Sequence, residues 1–383
     1  MSQAAQYAPA GPDQPAARPR RTRLLLVPVA IALLLVAIPC VTYAFANNQL
    51  SQAQTSEAHG AYSQALSQYA TAQSVAGNPV SRILLGDLAD RAKAGTAETH
   101  FVWGAQLTQQ GKFANSETQL RAAINSGIAD WAVRGNAGLA DLFHAWGKSL
   151  VASNQFQAGI DKYRQVAAVD PTGNLTASTN AGLAAAYGGF AQWYLQQPVD
   201  YPNALIWYEN LVKEFPDSQD AKLAKASSLP QTLYNAGVAF VQQMRFQQAR
   251  DAMTELVQTY PATTWATQGN AALQANQPLT GQLILSDQNP TPVANRLVRI
   301  ASHWKIVRAH TYDDSGGHIY QTTTDAKGNF SVPGGIPPSP KYLITWWDPT
   351  RSTFVTTFVN DSLPVNLITV NPLEPAHTTV ATS

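Results

Sequence analysis

Apolar and small residues recur at a fixed interval through the middle of the chain, and this interval predicts stacked pairs of helices. Phe156, Gly159, Tyr163, Val166 and Pro171 set a pattern that returns twice, each time 45 residues further on. The two later copies are Tyr201, Ala204, Tyr208, Leu211, Pro216 and Phe246, Ala249, Met253, Leu256, Pro261. Looser copies lie upstream at Phe113, Ser116, Leu120, Ala123 and at Tyr62, Ala65, Tyr69, Ala72. Such a period is typical of repeated supersecondary units, so residues 47–275 are predicted to form an α-solenoid.

Each predicted helix pair contains a polar turn that ends at an aromatic residue. The turns span residues 60–62, 110–113, 153–156 and 243–246. A glycine or asparagine in such a turn ends the first helix in the left-handed conformation, and Gly60, Gly111 and Asn154 are expected to do so.

From residue 276 onward the pattern changes to alternating apolar and polar positions that are rich in Val, Thr and Ile. The candidate strands are 280–286, 295–301, 304–311, 318–324, 329–333, 341–348, 352–359 and 364–370. Short and evenly spaced strands predict an antiparallel β-sandwich over residues 276–373, with residues 374–383 as a flexible tail. The predicted fold class is therefore multidomain, with α-helices followed by β-strands.

A run of residues without charge lies near the N-terminus, over positions 24–46. It is long enough to span a bilayer as a helix. The arginines that precede it are Arg18, Arg20, Arg21 and Arg23. No Lys or Arg follows until Arg82, and this asymmetry places the N-terminus in the cytoplasm. The sequence therefore predicts a disordered cytoplasmic tail at 1–23, a single-pass transmembrane helix that continues into the first solenoid helix, and an extracytoplasmic bulk.

Two other interpretations of this segment stay open. Ala44-Phe45-Ala46 fits a signal-peptidase site, and cleavage near Ala46 would give a secreted protein. Lipid attachment at Cys40, the only cysteine, is the second alternative, although Pro39 is a poor match to the small residue expected there. The apolar run exceeds the roughly 7–15 residues of a signal-peptide core, which favours the anchor.

The helical repeat resembles the tetratricopeptide repeat (TPR). The resemblance rests on a small residue in the first helix (Gly104, Gly147 and Gly237), the turn aromatic, a small residue three positions later, a large residue and a closing proline. The interval is longer than the roughly 34 residues usual for the family. This difference implies longer helices or an added short helix, as over residues 218–226. The resemblance implies a scaffold that binds proteins or peptides.

The C-terminal segment is similar to carboxypeptidase regulatory-like (transthyretin-like) domains. The similarity rests on residues 280–283, 292–298, 324–330 and 338–342. Pro340-Lys341 stands where such domains usually have a glycine before the tyrosine. The resemblance implies an accessory binding or spacer module.

Composition and motifs argue against nucleic-acid binding and against catalysis. The net charge is +1 and only 13% of residues are charged. The chain therefore offers no extended basic cluster to the phosphate backbone of a nucleic acid. Gly147-Lys148-Ser149 lacks the upstream glycine and the strand of a phosphate loop and is interpreted as helix packing. His303, His310 and His318 match no compact metal-ligand spacing. We therefore predict no enzyme activity, no cofactor and no metal site.

The predicted function is that of a membrane-anchored extracytoplasmic adaptor that holds a protein or peptide in the concave groove of the solenoid. The candidate groove residues are Gln106, Gln109, Asn136, Lys148, Gln192, Gln196, Asn235 and Gln242. The alternative is a cell-surface protein that binds envelope polysaccharide through the β-sandwich, with Trp346 and Trp347 as candidates. Neighbours in a strand point to opposite faces, so one of these two is expected in the core and the other at the surface.

Overall fold

The computed structural model describes residues 22–79, 81–170, 172–196 and 198–382, with side chains from residue 37 onward. The predicted tail at residues 1–21 and the side chains of residues 24–36, a large part of the predicted membrane helix, lie outside this description. Within the described part of the chain, no helix is both long enough and apolar enough to cross a membrane. The first helix is continuous from Thr22 to Ala58, which agrees with the prediction that the apolar segment runs on into the solenoid.

Twelve α-helices occupy the described residues that precede the β-strands. They are α1 (Thr22–Ala58), α2 (Tyr62–Ala76), α3 (Arg82–Gln109), α4 (Phe113–Ile124), α5 (Ala129–Ala152), α6 (Phe156–Val169), α7 (Thr176–Tyr194), α8 (Tyr201–Glu214), α9 (Gln219–Leu223), α10 (Leu229–Gln242), α11 (Phe246–Thr259) and α12 (Thr264–Gln274). A π-helical segment, Ala224–Ser228, joins α9 to α10. Helix therefore occurs in the region 218–226 where it was expected, and it runs on into α10 without a break.

The second helices of three successive pairs begin 45 residues apart. Helix α6 begins at Phe156, α8 at Tyr201 and α11 at Phe246. In the two looser copies the second helix also begins at the aromatic residue, α4 at Phe113 and α2 at Tyr62, although these starts are not 45 residues apart. The interval in the sequence is therefore confirmed as an interval between helix starts.

The turns that precede these helices place one residue in the left-handed conformation. The φ angle is 73° at Gly60, 72° at Gly111 and 59° at Asn154, which confirms the prediction. Met244 adopts the same conformation in the fourth turn, with φ of 57°. A side chain other than glycine is strained at this angle because its Cβ approaches the following carbonyl oxygen.

Glycines on the first helix of a pair allow that helix to pack closely against one large side chain of a second helix. Tyr163 of α6 is buried, and its ring contacts Gly147 of α5 and Gly182 of α7. A Cβ added at those glycines would stand 3.0 Å and 2.5 Å from ring atoms. Leu120 holds the same repeat position in α4 and would be 2.7 Å from a Cβ added at Gly104. The small residues therefore set how closely the helices pack.

The chain divides into two compact units. One contains the described residues up to Trp146 together with 165–175, and the other contains 147–164 together with the described residues from Thr176 onward. The two units do not divide the chain at 275/276, and the predicted domain border there stays a prediction. In that region α12 ends at Gln274 and the first strand begins at Leu279.

In the first unit, a partly buried carboxylate joins three helices. Glu57 of α1 accepts hydrogen bonds from Thr99 Oγ1 of α3 at 3.0 Å and from the Tyr69 hydroxyl of α2 at 3.4 Å. Burial raises the pKa of Glu57, and burial together with this carboxylate raises the pKa of Tyr69 to about 12. Ala46 and Leu50 are buried in the apolar core beside this contact, so the second half of α1 is part of the solenoid.

Twelve β-strands follow in the described residues of the second unit. They are β1 (Leu279–Ile284), β2 (Leu297–Ala301), β3 (Lys305–Arg308), β4 (Thr311–Asp313), β5 (Ile319–Thr323), β6 (Asn329–Ser331), β7 (Ser339–Asp348), β8 (Thr353–Val355), β9 (Phe358–Asn360), β10 (Leu363–Pro364), β11 (Leu367–Val370) and β12 (Ala376–Ala381). One sheet has the order β12-β1-β6. A second sheet has the order β11-β7-β2-β5, with β8 paired to β7. Strands β3 and β4 form a hairpin, and β9 pairs with β10.

The two larger sheets share one hydrophobic core. Leu283 and Phe330 come from the first sheet, and Val298, Ile344 and Trp346 come from the second. Side chains from both sheets are buried in one cluster, so the sheets pack face to face as a sandwich.

Two predictions for this region are wrong. Residues 374–383 are not a loose tail, because Ala376–Ala381 form β12. The sandwich is not wholly antiparallel, because β12 pairs in parallel with β1 over its whole length. The backbone polar groups of β1 need a partner on each side, and β12 supplies one of them. The candidate strand at 352–359 is also divided, into β8 and β9.

Candidate functional site

The predicted groove residues lie on the first helices of the pairs. Gln106 and Gln109 lie on α3, Asn136 and Lys148 on α5, Gln192 on α7, and Asn235 and Gln242 on α10; Gln196 lies two residues after the end of α7. Asn136 and Asn235 are half-buried and the others are exposed. Gln106, Gln109 and Asn136 belong to the first unit and the other five to the second. Their role in binding stays a prediction.

An aromatic cluster that the sequence analysis did not single out lies beside two of these residues. The Trp193 cluster consists of Phe156, Phe190, Trp193, Tyr194 and Trp207. Phe190 is at its centre, with ring centroids 5.5 Å from Phe156, 6.0 Å from Trp193, 5.0 Å from Tyr194 and 4.5 Å from Trp207. Trp193 remains 47% exposed. The spacing of Phe190, Trp193 and Tyr194 by three and four residues was the available signal for one aromatic face of α7.

A pocket of about 380 Å³ lies between α8 and α11 in the second unit. Its acidic residues are Asp200, Glu209, Asp251 and Glu255, and Arg245 lies among them. Partial burial of the Glu209 carboxyl, together with repulsion from Glu255, raises the pKa of Glu209 to about 7. Burial also raises the pKa of Glu255. The Arg245 guanidinium stacks over the Phe240 ring at 4.4 Å. The two glutamates therefore disfavour each other's charge across the pocket.

The adjacent tryptophans of β7 divide as the sequence predicted. Trp346 is 5% exposed and belongs to the sandwich core, whereas Trp347 is 36% exposed. Trp347 pairs across strands with Phe354 of β8, and their rings meet edge to face at 5.3 Å. Burial removes Trp346 from the candidate binding residues, and Trp347 stays a candidate.

A second pocket, of about 660 Å³, opens on the side of the five-stranded sheet that faces away from the core. Its lining residues are Arg299, His310, Thr311, Tyr312, Asp314, Trp347, Arg351, Ser352, Thr353, Phe354, Val355, Thr356 and Phe358. Arg299 of β2 pairs with Thr345 of β7, two residues before Trp347, so the arginine and the tryptophan share one face of the sheet. We call this cavity the sheet pocket.

Charged and aromatic groups meet inside the sheet pocket. The Arg299 guanidinium stacks over the Phe354 ring at 4.5 Å, and its terminal nitrogen lies 3.6 Å from Asp314 Oδ2. Arg299 Nε and Asp314 Oδ2 are buried and have no hydrogen-bond partner among the described residues. Burial is the main cause that raises the pKa of the nearby Tyr312 hydroxyl.

Residues considered for phosphate binding and for metal binding pack against aromatic side chains. Gly147, the first residue of Gly147-Lys148-Ser149, packs on Tyr163 within α5, which agrees with the interpretation as helix packing. The ring of His310 faces Phe358 and that of His318 faces Tyr320. In the part of the chain that the structure describes, no group of three or more His, Cys, Asp or Glu residues is arranged to hold a metal ion.

Comparison with known proteins gives no sequence relative. No protein-family model matches the chain, and no curated protein matches it. YrrB, described as a TPR protein with an unusual peptide-binding site, aligns with 58% of this chain and 90% of its own, at 13% identity and a TM-score of 0.18. The C-terminal part of a TPR repeat-containing protein from Cytophaga hutchinsonii aligns with 57% of this chain and 98% of its own, at 12% identity and a TM-score of 0.18.

A structure of another kind is also similar over part of the chain. (S)-allantoin synthase aligns with 65% of this chain and 93% of its own, at 16% identity and a TM-score of 0.21. All three TM-scores are low. The description of the helical region as a TPR-like solenoid therefore depends on its own helix pairs, turns and interval of 45 residues.

Proposed function

We propose that this chain is a membrane-anchored extracytoplasmic scaffold that binds a protein or peptide on the first helices of its solenoid and has no catalytic role. The observation that carries the proposal is the exposed Trp193 on α7, next to Gln192 and close in sequence to Gln196. Tryptophan is among the residues most enriched at protein interfaces, and exposed amides supply hydrogen bonds to a peptide backbone.

The Trp193 cluster supports this role because it holds the exposed ring in place. Phe190 is stacked on Phe156 and tilted against Trp207, and these contacts restrict the motion of the α7 side chains around Trp193. A rigid aromatic group loses little conformational entropy when a partner binds it. Half-buried Asn235 and exposed Gln242 lie on α10, the first helix of the next pair, and we include them in the proposed surface.

Site-specific cross-linking in intact cells tests the proposal. A photo-reactive amino acid at Gln192 of the full chain is expected to cross-link one discrete partner, and the additional substitution Trp193→Ala is expected to abolish that product. The matched control places the same amino acid at Gln157, an exposed glutamine on the second helix α6. Equal products from both positions, or a product that persists in Trp193→Ala, would argue against binding on the first helices.

The membrane anchor and the compartment are part of the proposal. They are supported by the uncharged run at 24–46, the preceding arginines and the lack of Lys or Arg up to Arg82. Protease treatment of intact cells, with a tag at the C-terminus, tests both. A full-length membrane product that is digested from outside supports the anchor. A soluble product shortened by about 46 residues would instead indicate cleavage near Ala46.

The resemblance of residues 276–373 to carboxypeptidase regulatory-like domains belongs to the proposal as well. It is supported by two sheets that share one core. In such an arrangement the β-sandwich is an accessory module at the end of the scaffold. Arg250 of α11 contacts Glu374 and the carbonyl oxygen of Pro372, in the segment that joins β11 to β12.

A further inference from the structure

We infer that the sheet pocket binds an uncharged sugar residue of a polysaccharide or glycan. This inference concerns the β-sandwich alone and does not depend on the proposed scaffold role of the solenoid. It rests on three properties of the pocket: an incompletely hydrogen-bonded polar pair, a balance of charges, and several aromatic rings around one cavity.

The polar pair is Arg299 and Asp314. The guanidinium and the carboxylate are 3.6 Å apart, which is too long for a hydrogen bond, and their side chains are 20% and 14% exposed. The two atoms without a hydrogen-bond partner, Arg299 Nε and Asp314 Oδ2, are themselves buried. A ligand therefore contacts the partly exposed remainder of the two side chains, which no mutual hydrogen bond occupies. Vicinal hydroxyl groups fit the pair because one can donate to Asp314 while its neighbour accepts from Arg299.

The charges around the pocket favour an uncharged ligand. Each basic side chain has an acidic neighbour: Arg299 has Asp314, Arg351 Nε lies 3.6 Å from Asp348, and His310 Nε2 lies 3.4 Å from Asp361. No basic group among the pocket's described residues is therefore left over to select an anion. An ionic ligand of either sign would lose hydration without meeting an opposite excess charge.

The aromatic rings supply the apolar surface. Trp347, Phe354 and Phe358 line the cavity together with Tyr312. The C–H groups of a sugar ring pack against aromatic rings, whose faces are electron-rich. The volume of about 660 Å³ is within the usual range for small-molecule sites. Apolar rings beside a few polar groups are the combination that a sugar residue requires.

Calorimetric titration of the full chain tests the inference. The protein is held in a detergent without a sugar headgroup and titrated with neutral gluco-, manno- and galacto-oligosaccharides and with anionic oligogalacturonate. At least one neutral oligosaccharide is expected to bind, with little change in affinity between low and high salt. Trp347→Ala is expected to weaken this binding by about tenfold or more.

Phe358→Ala provides a second variant that leaves the polar pair and Trp347 in place. Phe358 lines the pocket, is half-buried and does not belong to the core shared by the two sheets, so its loss is expected to remove one ring from the pocket and weaken binding without disturbing the core. Trp304→Ala is the control, because Trp304 lies in the same domain and does not line the pocket. Absence of binding to every neutral oligosaccharide would overturn the inference, as would binding of oligogalacturonate alone. Equal affinity in wild type, Trp347→Ala and Phe358→Ala would also overturn it.

Discussion

The ring of Tyr163 packs so closely on Gly182 that a Cβ at this glycine would stand 2.5 Å from it. We expect Gly182→Ala to lower the stability of the α6–α7 region by about 1–3 kcal/mol, because the ring has to move within a packed core. Hydrogen exchange of α6 and α7 amides measures this local stability. Gly188→Ala in the same helix is the matched control. A Cβ at this position would stand 3.7 Å from its nearest neighbour, a Leu211 methyl carbon, which is an ordinary van der Waals distance. That variant is expected to gain about 0.5–1 kcal/mol from helix propensity.

Met244 adopts a left-handed φ of 57° while its side chain is 77% exposed. Met244→Gly removes the strain and little packing, so we expect a gain of about 0.5–1 kcal/mol in the free energy of unfolding of the α10–α11 pair. Chemical denaturation followed by circular dichroism measures it. Met244→Ala retains a Cβ and is expected to show no gain; an equal gain in both variants would indicate that the side chain, and not φ, is responsible.

Glu209 makes the solenoid sensitive to pH. Its pKa is about 7 in the folded state against 4.5 ordinarily. Between these pH values the folded chain keeps a proton that the unfolded chain has lost, so stability falls as pH rises through this range and stays low above it. Since Glu209 is an exposed residue, solvent screening limits the effect to about 1 kcal/mol.

The substitution Glu209→Gln tests this pH dependence. The variant is expected to be more stable than wild type at pH 8 and equal to it at pH 4, as measured by urea unfolding across the range. Ile206→Ala, which changes an exposed residue of the same pocket without altering its charge, serves as a control and is expected to leave the pH dependence of stability unchanged. If the free energy of unfolding of Glu209→Gln falls with rising pH as steeply as that of wild type, another group causes the pH dependence.

Arg250 and Glu374 join a helix of the solenoid to the β-sandwich. Their side chains are 2.7 Å apart, and they are 19% and 34% exposed. We expect Arg250→Ala to cost about 1–2 kcal/mol, because the charge-assisted hydrogen bonds to Glu374 and to the Pro372 carbonyl are lost. A double-mutant cycle with Glu374→Ala isolates the pair. A coupling energy near zero would show that the contact contributes nothing to stability.

The helical part was predictable because its determinants are local. A short local pattern is sufficient to predict the start of α6, α8 and α11. The pattern is an aromatic residue after a turn, then a small residue three positions later, then a large residue. The left-handed angle at Met244 was not predictable from its residue type. Met244 stands at the same position of its turn as Asn154, so the turn requires a left-handed φ there. Asparagine adopts this φ at a lower cost than methionine does.

The β-domain was predicted less completely because its contacts are long-range. The pattern of residues 374–383 is compatible with a loose tail until a partner strand is known, and that partner is β1. The sheet pocket depends on topology in the same way. Arg299 on β2, Asp314 after β4 and Phe354 on β8 are far apart in the sequence, and only the sheet order brings them together. The alternation within β7 was sufficient to separate Trp346 from Trp347, because that signal is local.

The pairing of β12 with β1 also imposes an order of events during synthesis. Thr280 and its contact His377 are separated by 97 positions, so β1 leaves the ribosome long before its partner exists. The helix pairs can form in the order in which they are made, because their contacts are local. The β-domain, by contrast, has one side of β1 unpaired until residues 376–381 have emerged. An unpaired strand edge is prone to join other chains, so β1 is exposed to pairing with another chain for as long as β12 has not emerged.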